Sequence, residues 1–136
     1  MSASAHPFIK HLVHTATMLV VNNLEEAAAF YRDKFGFDVR EQEAHIALLA
    51  REPMLLYLIP ESPPTPDKPS ITLGSTNTPT RTSVNLVFRV KDCLAAVAEL
   101  SANGVRFLTP PQQPAWRGWR CFARDPNGYL IEIEEP

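Results

Sequence analysis

The chain writes one supersecondary pattern twice. VVNNLEEAAAFYRDKFGFDV, beginning at Val20, returns in looser form as RVKDCLAAVAELSANGVRF, beginning at Arg89. Val21, Asn23 and Gly36 of the first copy answer to Val90, Asp92 and Gly104 of the second, with one residue lost before the glycine. A lone copy has one helix to cover one face of its small sheet, so duplication within 136 residues demands that the halves pair. A pseudo-symmetric domain with a cleft between its halves follows. Function must then be read from the residues that line that cleft.

Each copy reads as βαβββ, which makes the fold class α+β with two modules in tandem. In the first copy the β-branched apolar run 14–21 predicts a strand. Asn23 caps a helix, with Glu26 placed at N3 for a capping box. Leu24, Ala27, Ala28, Tyr31 and Phe35 share one helical face, and Gly36 ends the helix. Strands are expected near 37–42, 44–50 and 54–59. The second copy predicts a strand at 83–90, a helix from Asp92 to about Asn103 with the stop Asn103-Gly104, and strands near 105–109, 119–124 and 129–134. Cys93, Ala96, Val97 and Leu100 form that helix's inward stripe. Residues 1–9 read as a loose lead-in. Proline, serine and threonine dominate 60–82, where neither period survives, so this segment is the linker. The expected organisation is a single domain over 1–136: module one about 10–60, linker 61–82, module two 83–136.

Bulk composition removes several function classes. Thirteen basic residues against 15 acidic ones leave a net charge of −2, which argues against a nucleic-acid partner. The cluster Arg117, Arg120 and Arg124 is opposed by Asp125, Glu132, Glu134 and Glu135. No apolar run approaches the roughly 18 residues of a membrane helix, and the amino terminus has no basic-then-apolar pattern. Cys93 and Cys121 lack CxxC or metal spacing, so a reduced, cytoplasmic protein is expected.

Three stretches carry a family resemblance: VVNNLEEAAAFYRDKFGF, FRVKDCLAAVAELSANGV and the closing DPNGYLIEIEE. With the order of elements, they make residues 12–135 resemble the vicinal-oxygen-chelate superfamily, the glyoxalase, bleomycin-resistance and extradiol-dioxygenase group. The resemblance implies two βαβββ modules whose sheets curl around a shared, often metal-bearing cavity. It also implies a homodimer, sometimes with the cavity between chains. It does not supply the chemistry, because one scaffold hosts many functions.

In metal-using relatives up to four His, Glu or Gln ligands come from equivalent strands. Carried onto this chain by the resemblance, the first position is Ala16, seven before Asn23, and a methyl group binds no cation. The second falls within MLLYLI, residues 54–59, where Tyr57 is the only polar side chain. The third, seven before Asp92, is Asn85. The fourth is Glu132, the one residue that fits the pattern. Zinc enzymes keep three protein ligands, and ring-cleaving dioxygenases need two histidines and a carboxylate. No histidine follows His45. His14, two residues before Ala16, is the nearest substitute, and a displaced site built on His14 and Glu132 is short of ligands. No metal and no other cofactor is therefore expected. Glu132 has two readings without one: a cavity acceptor or general base, or an ion-pair partner of Arg120 or Arg124 that closes the sheet.

A cleft stripped of ligands suits a small organic molecule. The expected ligand-binding set is His14, Tyr57, Asn85, Trp116, Trp119, Arg120 and Glu132; the two indoles have a plain alternative in core packing. Phe88, Met18 and Phe122 read as wall and core, and the linker as lid or tether. The leading expectation is a metal-free protein resembling the bleomycin-resistance branch, which sequesters an aromatic or drug-like compound without changing it. A glyoxalase- or isomerase-like enzyme is the second reading, with Glu132 as base and an unconventional metal site. An accessory protein-association domain with a filled pocket is the third.

Overall fold

The computed structural model describes residues 6–115 and 117–136. A short 3-10 turn, Ile9–His11, lies within the expected lead-in and the start of module one. Module one then runs β1 (Thr17–Val20), α1 (Leu24–Phe35), β2 (Asp38–Glu43), β3 (Ile46–Arg51) and β4 (Met54–Ile59). Module two runs β5 (Asn85–Arg89), α2 (Cys93–Ala102), β6 (Arg120–Arg124) and β7 (Leu130–Glu134). The strands form two sheets, ordered β1-β4-β3-β2 and β5-β7-β6. In both, the strand before the helix pairs in parallel with the last strand of its module. The architecture is two tandem modules of the βαβββ pattern, the second with isolated bridges in place of the first strand after its helix, and neither sheet closes on itself.

Both helices are capped where their sequences predict, although of the capping box at Asn23 only the Asn23 half forms among the described residues. Asn23 Oδ1 accepts from the Glu26 N–H at 2.9 Å, and Asp92 Oδ1 accepts from the Ala95 N–H at 3.0 Å. Each satisfies an amide that a first helical turn leaves without a partner. Gly36 then takes φ 75°, so that the Phe37 N–H reaches back to the Tyr31 carbonyl at 3.1 Å. Ala27, Ala28 and Tyr31 are buried on α1, and Cys93 and Val97 on α2.

One core serves both modules. Leu19, Tyr31, Phe37, Leu56 and Leu58 from the first half are continuous with Leu86, Cys93, Cys121, Ile131 and Ile133 from the second. Phe88 on β5 stacks on Phe35 at 5.1 Å between ring centroids and meets Phe37 edge-on at 6.2 Å. The turn Asp125–Gly128 reaches across the seam. Asn127 Oδ1 accepts from the Asn22 N–H at 2.7 Å, and the Tyr129 hydroxyl donates to the Val20 carbonyl at 2.9 Å.

Two expected strands are corrected. Residues 105–109 form no strand; the segment 107–112 touches β6 only through isolated bridges at Phe107–Ala123 and Gln112–Arg120. Pro110 and Pro111 stand between those bridges and have no N–H to donate to a ladder. The first strand begins at Thr17, where the parallel β1–β4 ladder opens with Thr17–Leu56; residues 14–16 do not join it. The linker has more structure than its composition suggests. It folds on itself through Ser62–Leu73, Thr65–Lys68 and Thr78–Arg81 bridges. It also docks on module two, where Asn77 Nδ2 donates to the Asn127 carbonyl at 3.2 Å.

Candidate functional site

The pleat of the three-stranded sheet sends Leu86, Cys121, Ala123, Ile131 and Ile133 into the core. Alternate residues therefore stand on the other, open face. Register sets them in three rows: Arg89–Glu134–Arg120, Val87–Glu132–Phe122 and Asn85–Leu130–Arg124. Glu132 occupies the centre and is only 7% exposed. Asn85 Nδ2 donates to its Oε1 at 2.9 Å. A neutral amide thus partners the one carboxylate that matches the metal-using pattern.

The expected pairing of Glu132 with Arg120 or Arg124 is not formed. Arg124 is held by carbonyls, donating to Gly128 O at 3.1 Å and Pro79 O at 2.7 Å. Arg120 lays its guanidinium over the Phe122 ring, 5.3 Å from the centroid. The ion pairs of this face form at Glu134, with Arg117 at 2.8 Å and Arg89 at 3.6 Å. Arg120 has no carboxylate or carbonyl partner for its side chain among the described residues.

On the four-stranded sheet, register aligns Met18, Tyr57 and Leu48 across the face turned away from α1. His14 Nε2 lies 2.7 Å from the Tyr57 hydroxyl, with the rings edge to face. The expected site residues therefore fall into two pairs on two sheets: His14 with Tyr57, and Asn85 with Glu132. Trp119 packs against the core cluster, and Trp116 lies outside the described residues.

A groove of about 410 Å³ crosses the open face of module two. Linker residues 80–82 wall it, Leu108, Phe122 and Leu130 floor it, and Arg124 sits at its edge. Arg81, Leu108 and Leu130 were not anticipated as site residues. The linker has no periodicity to place Arg81, and the outward face of Leu130 follows only from the β5–β7 register. A second groove, about 380 Å³, lies between the helices over Phe35, Phe88, Val90 and Leu100. Its one cation, Lys34, donates to the Asn103 carbonyl at 2.6 Å.

The donor set does not fit a divalent metal. Ala16 offers nothing, Tyr57 is engaged by His14, and Asn85 spends its amide on Glu132. Among the described residues no three His, Cys, Asp or Glu side chains converge. A lone carboxylate with one neutral neighbour falls short of the three ligands that catalytic zinc sites hold. No helix among the described residues is long and apolar enough to cross a membrane.

Solved structures share this architecture throughout. The chain is 20% identical to lactoylglutathione lyase from Agrobacterium tumefaciens, covering 90% of this chain and 92% of that one, with a TM-score of 0.71. It is 23% identical to TnmS3, an antibiotic binding protein from Streptomyces sp. CB03234, over 100% and 99% of the two chains, at 0.64. FosX, a fosfomycin resistance protein from Listeria monocytogenes, matches at 14% identity over 92% and 93%, at 0.68. At these identities the likeness speaks to the fold alone. No curated protein sequence matches the chain. The sequence profile of the Glyoxalase/Bleomycin resistance protein/Dioxygenase superfamily matches residues 9–133. With the fold in place over that same span, the chain belongs to that superfamily.

Proposed function

We propose that this protein binds a small aromatic or amphipathic compound and holds it without chemical change, independently of any metal. The observation that carries the reading is the Asn85–Glu132 hydrogen bond at 2.9 Å. It satisfies the central carboxylate with an amide and leaves no charged partner with which to gather a cation. Carbanion chemistry of the glyoxalase type needs a polarising ion or an equal source of positive charge at the developing oxyanion. In its own row Glu132 has only Val87 and Phe122 beside it; of the arginines in the flanking rows, Arg120 lies over Phe122 and Arg124 is held by carbonyls. That mixture of apolar floor and few polar groups suits an organic ligand. TnmS3, which shares the fold, is an antibiotic binding protein, in agreement with this reading.

The working unit we propose is a cytoplasmic homodimer. Phe8, Ile9 and Val13 are exposed ahead of β1, and Met18 and Val87 are exposed on the open faces. The four-stranded face has Asp38, Glu41 and Glu43 along its β2 edge, by register with Ala50, Leu48 and Ile46. On the three-stranded sheet Arg89 lies on the β5 edge, opposite the edge that carries Arg120. Opposite charge at these two edges favours seating the β2 edge of one copy along the β5 edge of its partner. The two unbridged thiols suit a reducing compartment.

The test combines native mass spectrometry, sedimentation and thermal-shift screening of the isolated protein against aromatic compounds. A metal-free dimer stabilised by such compounds is the expected result. Stoichiometric transition metal, together with a turnover that Glu132→Gln abolishes, would replace the binding reading with an enzymatic one.

A further inference from the structure

We infer that the ligand of the open face carries an acid group, and that Arg120 is the residue that selects it. The inference rests on the binding reading above and adds the ligand's charge class. Three arginines stand around the Phe122 ring: Arg120 over it at 5.3 Å, Arg124 two residues on, and Arg81 across the groove. None forms an ion pair among the described residues; the ion pairs of module two belong to Arg89 and Arg117. Arg124 is spoken for by two carbonyls, which leaves Arg120 and Arg81 with their donors unused. Glu134, opposite Arg120 in its own row, is shared by Arg117 and Arg89, and Glu132 in the adjoining row is already bonded to Asn85. A protein of net charge −2 thus keeps an uncompensated positive strip beside an apolar groove.

The seat of Arg120 matters for selectivity. Its guanidinium is held over the Phe122 ring, 5.3 Å from the centroid, by attraction to the ring's negative face, and its N–H donors lie in its own plane, around its rim. Such a fork meets a carboxylate, sulfonate or phosphonate with little further ordering. The groove of about 410 Å³ beside it accepts the apolar body of the same molecule. The pairing selects a compact aromatic acid over its neutral counterpart.

Two fluorescent probes that share a ring system isolate the charge: anilinonaphthalene sulfonate and the uncharged N-phenylnaphthylamine. Both are titrated into the full chain at low and high ionic strength. The sulfonate should bind about tenfold or more tightly than the neutral probe, and added salt should shrink that margin. Arg120→Gln should remove most of the margin by weakening the sulfonate's binding. Arg120→Lys should recover part of it. Arg32→Gln, on α1, removes the same charge remote from the groove and should leave the margin intact. Equal affinity of wild type for both probes, or a margin that survives Arg120→Gln combined with Arg81→Gln, overturns the acid-group inference and leaves the binding reading standing. Failure of both probes to bind a folded wild-type protein overturns both. A thermal melt of each variant verifies folding.

Discussion

The Tyr31 hydroxyl donates a 2.7 Å hydrogen bond to Oδ2 of Asp125 inside the protein, across the seam between the modules. Asp125 Oδ1 at the same time accepts from the N–H groups of Asn127 and Tyr129, at 2.8 and 2.9 Å. A helix of one half is thus tied to the turn that aims the last strand of the other. Burial pushes the Tyr31 phenol well above its ordinary range, aided by the neighbouring carboxylate, so it remains a donor at any working pH. Tyr31→Phe keeps the ring packing and removes only that donor. It should cost about 1–3 kcal/mol in urea denaturation, with a red shift in neither fluorescence nor folded-state circular dichroism.

Asp125 itself should show a reversed pH response. Burial raises its carboxyl above the ordinary 3.8, and the bonds from Tyr31 and the turn amides pull it back only in part. Between the unfolded value and this raised folded one, the folded state holds a proton that the unfolded chain has released. Stability from this group therefore falls as pH rises through that window. Asp125→Asn lacks the proton. The stability of wild type minus that of the variant should decline as pH rises above the ordinary carboxylate value. A difference that grew with pH would contradict the assignment.

Both thiols should be inert in the native protein. Burial pushes Cys93 up to about 11, with the Cys121 thiol adding to the effect, and burial raises Cys121 as well. Thiolate is the reactive form, and at neutral pH almost none is present. A disulfide-exchange reagent should titrate no thiol in the folded chain and two after unfolding in guanidinium, matching the two free cysteines.

Unfolding should be a single event. Phe88 of module two rests on Phe35 and Phe37 of module one, so its removal opens a cavity that belongs to both halves. Phe88→Ala should cost about 3 kcal/mol and shift the circular dichroism and tryptophan transitions together. Two separated transitions would show that the modules fold apart.

How far these features could be read beforehand depends on the range of the interactions behind them. The caps at Asn23 and Asp92 and the helix stop at Gly36 are local, involving partners within a few residues, and each falls where its sequence places it. The linker's docking is set by Asn77 and Arg124 bonding to distant carbonyls, which no periodicity records. Strand 105–109 fails for the opposite reason: its local pattern is adequate, but the prolines just beyond it deny the ladder its donors. The Asn85–Glu132 bond requires the parallel β5–β7 register. Sequence offsets can name both residues but cannot show that one neutralises the other's demand for a partner. Arg120 was foreseeable as a candidate by type alone; its seat on Phe122 was not.

The Tyr129 hydroxyl both donates to the Val20 carbonyl and accepts from the Val20 N–H, at 2.9 and 3.1 Å. Val21 donates to β4, so in this parallel pairing the polar groups of Val20 point outward, along the margin open to strand addition by another chain. One phenol plugs that margin from the neighbouring module. The duplicated design thereby guards its own flank against runaway sheet extension, a hazard of unprotected edges, and the safeguard disappears whenever the halves come apart.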